Sequence, residues 1–159
     1  MKEGRFTHNL GFIHTLGTSN RSPEEFIGLL RAYGIEMVAD VRSRPASRFP
    51  QFRREVLAQS LGEAGVGYVY LGKELGGYRQ GGYEAYTQTY AYLQGMERLE
   101  RLASRCRCAI LCAERLPEGC HRRFIAKSLE ERGWKVAHII EENRILEDPR
   151  CENFREDDS

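Results

Sequence analysis

Two cysteines, a glutamate, a histidine and paired arginines fall within residues 110–123, Ile-Leu-Cys-Ala-Glu-Arg-Leu-Pro-Glu-Gly-Cys-His-Arg-Arg, across one strand-to-helix turn. Turns of this kind lie where open α/β sheets gather their ligand sites. Cys120 falls at or just before the first turn of the helix, next to Arg122 and Arg123. Uncapped N–H groups and guanidiniums there favour a thiolate, which makes Cys120 a candidate nucleophile. His121 offers further positive charge or a base. Cys112 closes the preceding strand and is either a second candidate nucleophile or apolar filler. Glu114 follows two residues later on the same strand face, where a carboxylate can transfer protons.

Asp40 lies near the end of an otherwise apolar strand, with Arg42 two residues on. An acid in that position is costly unless it is paired. It either anchors a loop through Arg42 or Arg44, or orients a ligand and moves a proton. Arg42, Arg44 and Arg122 are expected to hold negative charge on a substrate. Cys112, Cys120 and His121, with Glu114 or Asp40, match no zinc spacing, because no Cys-x2-Cys pair exists. Neither metal nor cofactor is expected. A reversible Cys112–Cys120 disulfide is the other use of the thiols. A phosphatase-type Cys-x5-Arg loop is excluded, since Glu118 occupies the sixth position after Cys112.

Positioning these groups requires a regular frame. Strands are expected over residues 10–16, 35–41, 66–71, 108–113 and 134–140. Helices are expected from Ser22, whose Ser-Pro-Glu-Glu forms a capping box, to about Tyr33, and over residues 53–64, 83–104 and 120–132. Strands alternating with helices imply parallel pairing through right-handed crossovers. The fold class is therefore α/β, a three-layer sandwich with a mostly parallel five-stranded sheet, Rossmann-like or flavodoxin-like. The strand order stays open. In either order the loops after strands one to four share the carboxyl edge, which gathers Thr18, Asn20, Arg21, Asp40, Arg42, Arg44, Glu74, Cys112, Glu114, Cys120, His121 and Arg122.

The 159 residues, 41% hydrophobic and 30% charged, suit one domain over residues 1–146 followed by an acidic tail over 147–159. No apolar run reaches the roughly 20 residues of a membrane span. Five cysteines, an odd count, together with a start lacking an apolar signal region, point to a reducing cytoplasm. Net charge is only +1, so composition makes no general case for nucleic acid, yet residues 42–54 carry five arginines and no acid. With Phe49 and Phe52 interleaved, they form a weak nucleic-acid or nucleotide signal. Seven of the eight tyrosines lie between Tyr68 and Tyr92. Tyr83, Tyr86 and Tyr90 are expected on one helical face, for core packing, a homodimer contact or stacking on a base.

Four ordered motifs carry a resemblance. Thr15-Leu-Gly-Thr-Ser-Asn-Arg21, Asp40-Val-Arg-Ser-Arg-Pro45 with Arg48-Phe-Pro50, Tyr70-Leu-Gly-Lys-Glu-Leu-Gly-Gly77, and Cys112-Ala-Glu114 with Cys120-His-Arg122 together resemble the family called domain of unknown function 488. The likeness spans about residues 12–143. It implies a parallel α/β fold and a shared pocket, with no settled reaction. The leading expectation is an enzyme acting on a small anionic or nucleotide-like substrate. A non-catalytic nucleotide or nucleic-acid binding module and a thiol redox switch are the alternatives.

Overall fold

The computed structural model describes residues 11–45 and 47–147. In chain order its elements are β1 (Phe12–Gly17), α1 (Pro23–Ala32), β2 (Met37–Asp40), α2 (Arg54–Glu63), β3 (Gly67–Tyr70), α3 (Gly72–Leu75), α4 (Tyr83–Tyr86), α5 (Tyr90–Arg105), β4 (Cys108–Cys112), α6 (Arg122–Glu131), β5 (Lys135–Glu141) and β6 (Arg144–Glu147). The strands form one sheet in the order β3-β2-β4-β1-β5-β6. All neighbours are parallel except β5 and β6. The expected α/β sandwich is present, with six strands in place of five.

The local sequence explains each element. Ser22 caps α1 by accepting from the Glu25 amide at 3.0 Å, and Pro23 supplies a preset first helical residue. Cys108-Ala-Ile-Leu-Cys112 is apolar throughout and buried at all five positions, as a central parallel strand covered on both faces must be. Helices α1 and α2 cover one face through Phe26, Leu29, Leu30, Leu57 and Leu61. The other face packs under α3 to α6 through Leu75, Tyr92, Met96, Leu99, Ile125 and Leu129.

Three expectations are corrected. The added strand β6 turns back on β5 across Glu142-Asn143, with Glu141 opposite Arg144, a two-residue hairpin that an acidic composition concealed. The remainder of the expected tail, from residue 148, lies outside the described residues. The helix expected over 83–104 is two helices, because the Thr89 hydroxyl accepts from the Tyr92 amide and starts a new one. Tyr83, Tyr86 and Tyr90 consequently do not share a helical face: Tyr83 is buried while Tyr90 is 76% exposed. Finally, Gly72–Leu75 is a helical turn rather than open loop. The Tyr83 and Tyr86 hydroxyls donate to the carbonyls of Leu75 and Glu74, satisfying acceptors that a helix end leaves open.

The strand order decides where a site can form. Chains leaving β1 and β2 pass to the α1/α2 face, whereas those leaving β3 and β4 pass to the opposite face. Strand β4 lies between β2 and β1. Its carboxyl end is therefore flanked on both sides by chains that diverge from its own, and each divergence opens a crevice.

Candidate functional site

Parallel hydrogen bonding continues past the strand ends and fixes the loops that carry the site. The Val41 amide donates to Leu111, the Thr18 amide to Cys112 and the Ser19 amide to Ala113, at 2.8–3.0 Å. Gly17 permits the last approach: a Cβ there would stand 1.7 Å from the Glu114 carbonyl oxygen. No side chain larger than hydrogen fits.

Two adjoining cavities of about 660 Å³ each open at this edge. The first, between β2 and β4, is lined by Arg42, Ser43 and Arg44, by Cys112, Ala113 and Glu114, by Cys120 and His121, and by Gly77 and Tyr78. The second, between β4 and β1, is lined by Thr18, Ser19 and Asn20, by Ser47, Arg48 and Phe49, and by Arg115. Arg42, Arg44, Ala113 and Glu114 border both, so the two are lobes of one cleft.

Cys120 precedes α6 and is 7% exposed. Its thiol is held well below the ordinary range, first by the neighbouring Cys112 thiol and then by the His121 side chain and the Arg122 amide. Burial opposes the shift and loses. Cys112, almost fully buried, is pushed well above the ordinary range by burial and then by its neighbour Cys120, and its S–H reaches the Glu114 carbonyl at 3.8 Å. Cys120 is therefore the member of the pair that loses its proton first, and both are free cysteines. His121 sets the geometry. Its Nε2 lies 3.1 Å from the Val41 carbonyl oxygen, which only accepts, so Nε2 carries a proton. In the neutral ring Nδ1 is then an acceptor, and it faces Cys120 Sγ at 3.8 Å. Tyr83 packs on the ring edge at 5.1 Å, and the Gly77 backbone closes its other side.

Asp40 lies beneath the cleft with no exposed surface. One carboxylate oxygen accepts from the Arg42 amide and Nε, and the other accepts from Arg42 Nη2 and the Tyr68 hydroxyl, at 2.6–3.1 Å. Arg42 Nη1 donates to the Phe52 carbonyl. Burial alone would lower the Arg42 pKa, but Asp40 reverses that and raises it. Asp40 therefore supports Arg42 and does not itself line the cleft.

Among the expected residues, the structure brings Cys112, Glu114, Cys120, His121, Arg42 and Arg44 to the first lobe and Thr18 and Asn20 to the second. Arg21 and Arg122 are buried below the surface of the cleft. Arg21 donates to the Gly17 carbonyl and pairs with Glu25. Arg122 Nη2 donates to the Arg115 carbonyl, while its Nε and Nη1 have no partner. Glu74 pairs with Arg98 at 3.1 Å, apart from both lobes. Tyr68, Ser43, Gly77, Tyr78 and Arg115 join the site or its support without having been expected there, and Arg48 enters from the arginine-rich segment 42–54. Tyr68 had a readable signal, since a buried acid needs more donors than one arginine supplies. Among the described residues, no three His, Cys, Asp or Glu side chains are grouped to hold a metal ion, and no helix is long and apolar enough to cross a membrane.

A mostly parallel α/β protein with two free cysteines at the carboxyl edge of its sheet is the class that fold and site define. The model of the family described as "Domain of unknown function DUF488" matches residues 22–129, from the first residue of the capping box into α6. The chain belongs to that family. No curated protein and no solved structure matches the chain.

Proposed function

We propose that this protein is a thiol-dependent enzyme acting on a small anionic substrate, with Cys120 as its nucleophile. The observation that carries this reading is the Cys120 thiol, 3.8 Å from His121 Nδ1 and 3.5 Å from the Arg122 amide, facing a cleft bordered by guanidiniums. An activated nucleophile beside a base and an anion-holding surface are the parts that covalent group transfer requires. His121 Nδ1 takes the Cys120 proton. The thiolate attacks an electrophilic carbon of the substrate, an S–C bond forms, and the bond to the leaving group breaks. The leaving group departs with the proton returned by His121. Water then cleaves the S–C bond, with Glu114 on the cleft wall accepting the proton that water loses. Arg42 and Arg44 hold the substrate's negative charge. A reducing compartment such as the cytoplasm suits the free thiolate.

The test uses p-nitrophenyl acetate as an acyl probe. Release of p-nitrophenolate with acylation mapped to Cys120, lost in Cys120→Ser, supports the assignment. Labelling no faster at Cys120 than at half-buried Cys106 removes it. The presence of Cys112 and Cys120, both free, in the lining of one lobe favours a second reading, a dithiol redox centre in which Cys112 resolves an oxidised Cys120. Cys112→Ser separates the two readings, since acyl turnover survives in the first and reducing turnover is lost in the second.

A further inference from the structure

The charge in the second lobe is more than the thiol chemistry uses. Across the whole chain 24 basic residues face 23 acidic ones, yet Arg42, Arg44, Arg48 and Arg115 border this lobe against the single acid Glu114. Asp40 neutralises Arg42. Arg115 reaches Glu141 only at 3.9 Å. Arg44 has neither an ion pair nor a hydrogen bond among the described residues, and Arg48 has only the Phe49 ring beneath it, at 5.1 Å. The repulsion extends inward. Arg21, buried under the β1 loop, keeps an unpartnered Nη2, and its pKa is lowered by burial and then by Arg115. Away from the cleft, Arg98 pairs with Glu74 and Arg132 with Glu100. Here they converge on an open space of about 660 Å³.

Hydroxyls and an amide complete the donor set. Thr18, Ser47 and Asn20 line the same lobe as the arginines. Planar guanidiniums combined with short hydroxyls suit a tetrahedral oxyanion that presents three acceptor oxygens and nearly two charges. A carboxylate offers two oxygens and one charge, which leaves much of this set unused. The shared ridge of Arg42, Arg44, Ala113 and Glu114 joins the lobe to the cavity holding Cys120. One molecule can therefore occupy both lobes.

We propose that the lobe between β4 and β1 seats the phosphate of a phosphate-monoester substrate whose electrophilic group lies over Cys120. The proposal rests on the reading of Cys120 as nucleophile, and it narrows the substrate to a class. Arg44 and Arg48 supply the charge, Thr18, Ser47 and Asn20 supply directional donors, and Arg42 marks the boundary between the phosphate and the reacting part.

Calorimetric titration of the full chain with inorganic phosphate, adenosine 5′-monophosphate and adenosine tests the seat. Iodoacetamide alkylation of Cys120, run with each compound present, tests its position. Phosphate and the nucleotide are expected to bind, adenosine is not, and the bound nucleotide slows alkylation. Arg48→Ala weakens phosphate binding about tenfold or more, the loss of one charge-assisted contact, and Arg48→Lys restores part of it. Absent phosphate binding, or adenosine binding as well as its monophosphate, overturns the proposal. So does an affinity for oligothymidylate that climbs with its length, the mark of a nucleic-acid surface. Rapid Cys120 alkylation without phosphate binding sinks this inference alone. Phosphate binding beside an unreactive Cys120 keeps the seat and removes the catalytic reading.

Discussion

Replacing Asp40 by asparagine tests the foundation of the cleft. The carboxylate has no exposed surface and accepts four hydrogen bonds, three of them from Arg42 and one from Tyr68. The asparagine side chain keeps the oxygen that faces the Arg42 amide and Nε, but it turns an NH2 group toward Arg42 Nη2, setting donor against donor. The guanidinium, 6% exposed, then holds an uncompensated charge. Breaking a buried pair in this way costs about 3–5 kcal/mol, a large share of the roughly 5–15 kcal/mol that stabilises a domain. With a urea m-value of about 2 kcal/mol/M, the unfolding midpoint should fall by roughly 2 M. Adding Arg42→Met to Asp40→Asn should recover most of that loss, because the orphaned charge leaves with its partner. Urea unfolding followed by tryptophan fluorescence and far-UV dichroism measures both variants. A single variant within about 1 kcal/mol of the parent, or a double variant less stable than the single, would refute this account of the pair.

Further outcomes follow from the same geometry. Cys120 should alkylate near its plateau rate at pH 7, where an ordinary thiol of pKa about 8.5 is only about 3% ionised; a rate still rising tenfold per pH unit between 6 and 8 contradicts the held thiolate. Gly77→Ala would set a Cβ 2.8 Å from His121 Nδ1, so alkylation should slow several-fold while the unfolding midpoint barely moves; an unchanged rate denies His121 its role. His14, lowered to about 4 by burial and then by Arg107, stays neutral in the fold while the unfolded chain takes up a proton near pH 6.5. Stability is therefore full above pH 6.5 and declines by an amount on the order of 3 kcal/mol as pH falls toward 4. A His14→Leu variant with the same pH slope as the parent argues against that source.

The elements that could be read in advance were those with local causes. Ser22 and Pro23 mark the start of α1, and the uninterrupted apolar run of β4 marks a strand covered on both faces, because caps and periodicity act over a few residues. The break between α4 and α5 was missed because a run with helical periodicity continues through Thr89, whose capping competes with propagation. The convergence of Arg42, Cys120 and His121 was expected because a parallel sheet brings its loops to one edge. The support beneath them was harder to foresee. The bond from Tyr68 to Asp40 spans 28 residues, and that from His121 to the Val41 carbonyl spans 80. Contacts of that reach depend on which strands are neighbours, and no local pattern encodes it.

Strand order is also what separates the two halves of the cleft. With β4 between β2 and β1, its carboxyl end meets Arg42 and Arg44 on one side and Thr18 and Asn20 on the other. Had β1 and β2 been adjacent, the Thr18 loop would meet Arg42 directly and Cys112 would stand at a distance from one or both. Insertion of β4 places sulfur chemistry at the middle of the edge, within reach of two charged walls. A rigid central strand and short loops make that arrangement resistant to drift, since Gly17 leaves no room for the Glu114 turn to move inward. The test of this dependence is Gly17→Ala, which should disturb both lobes together: phosphate binding and Cys120 alkylation should both fall. If only one responds, the lobes are positioned independently and the shared-edge argument fails.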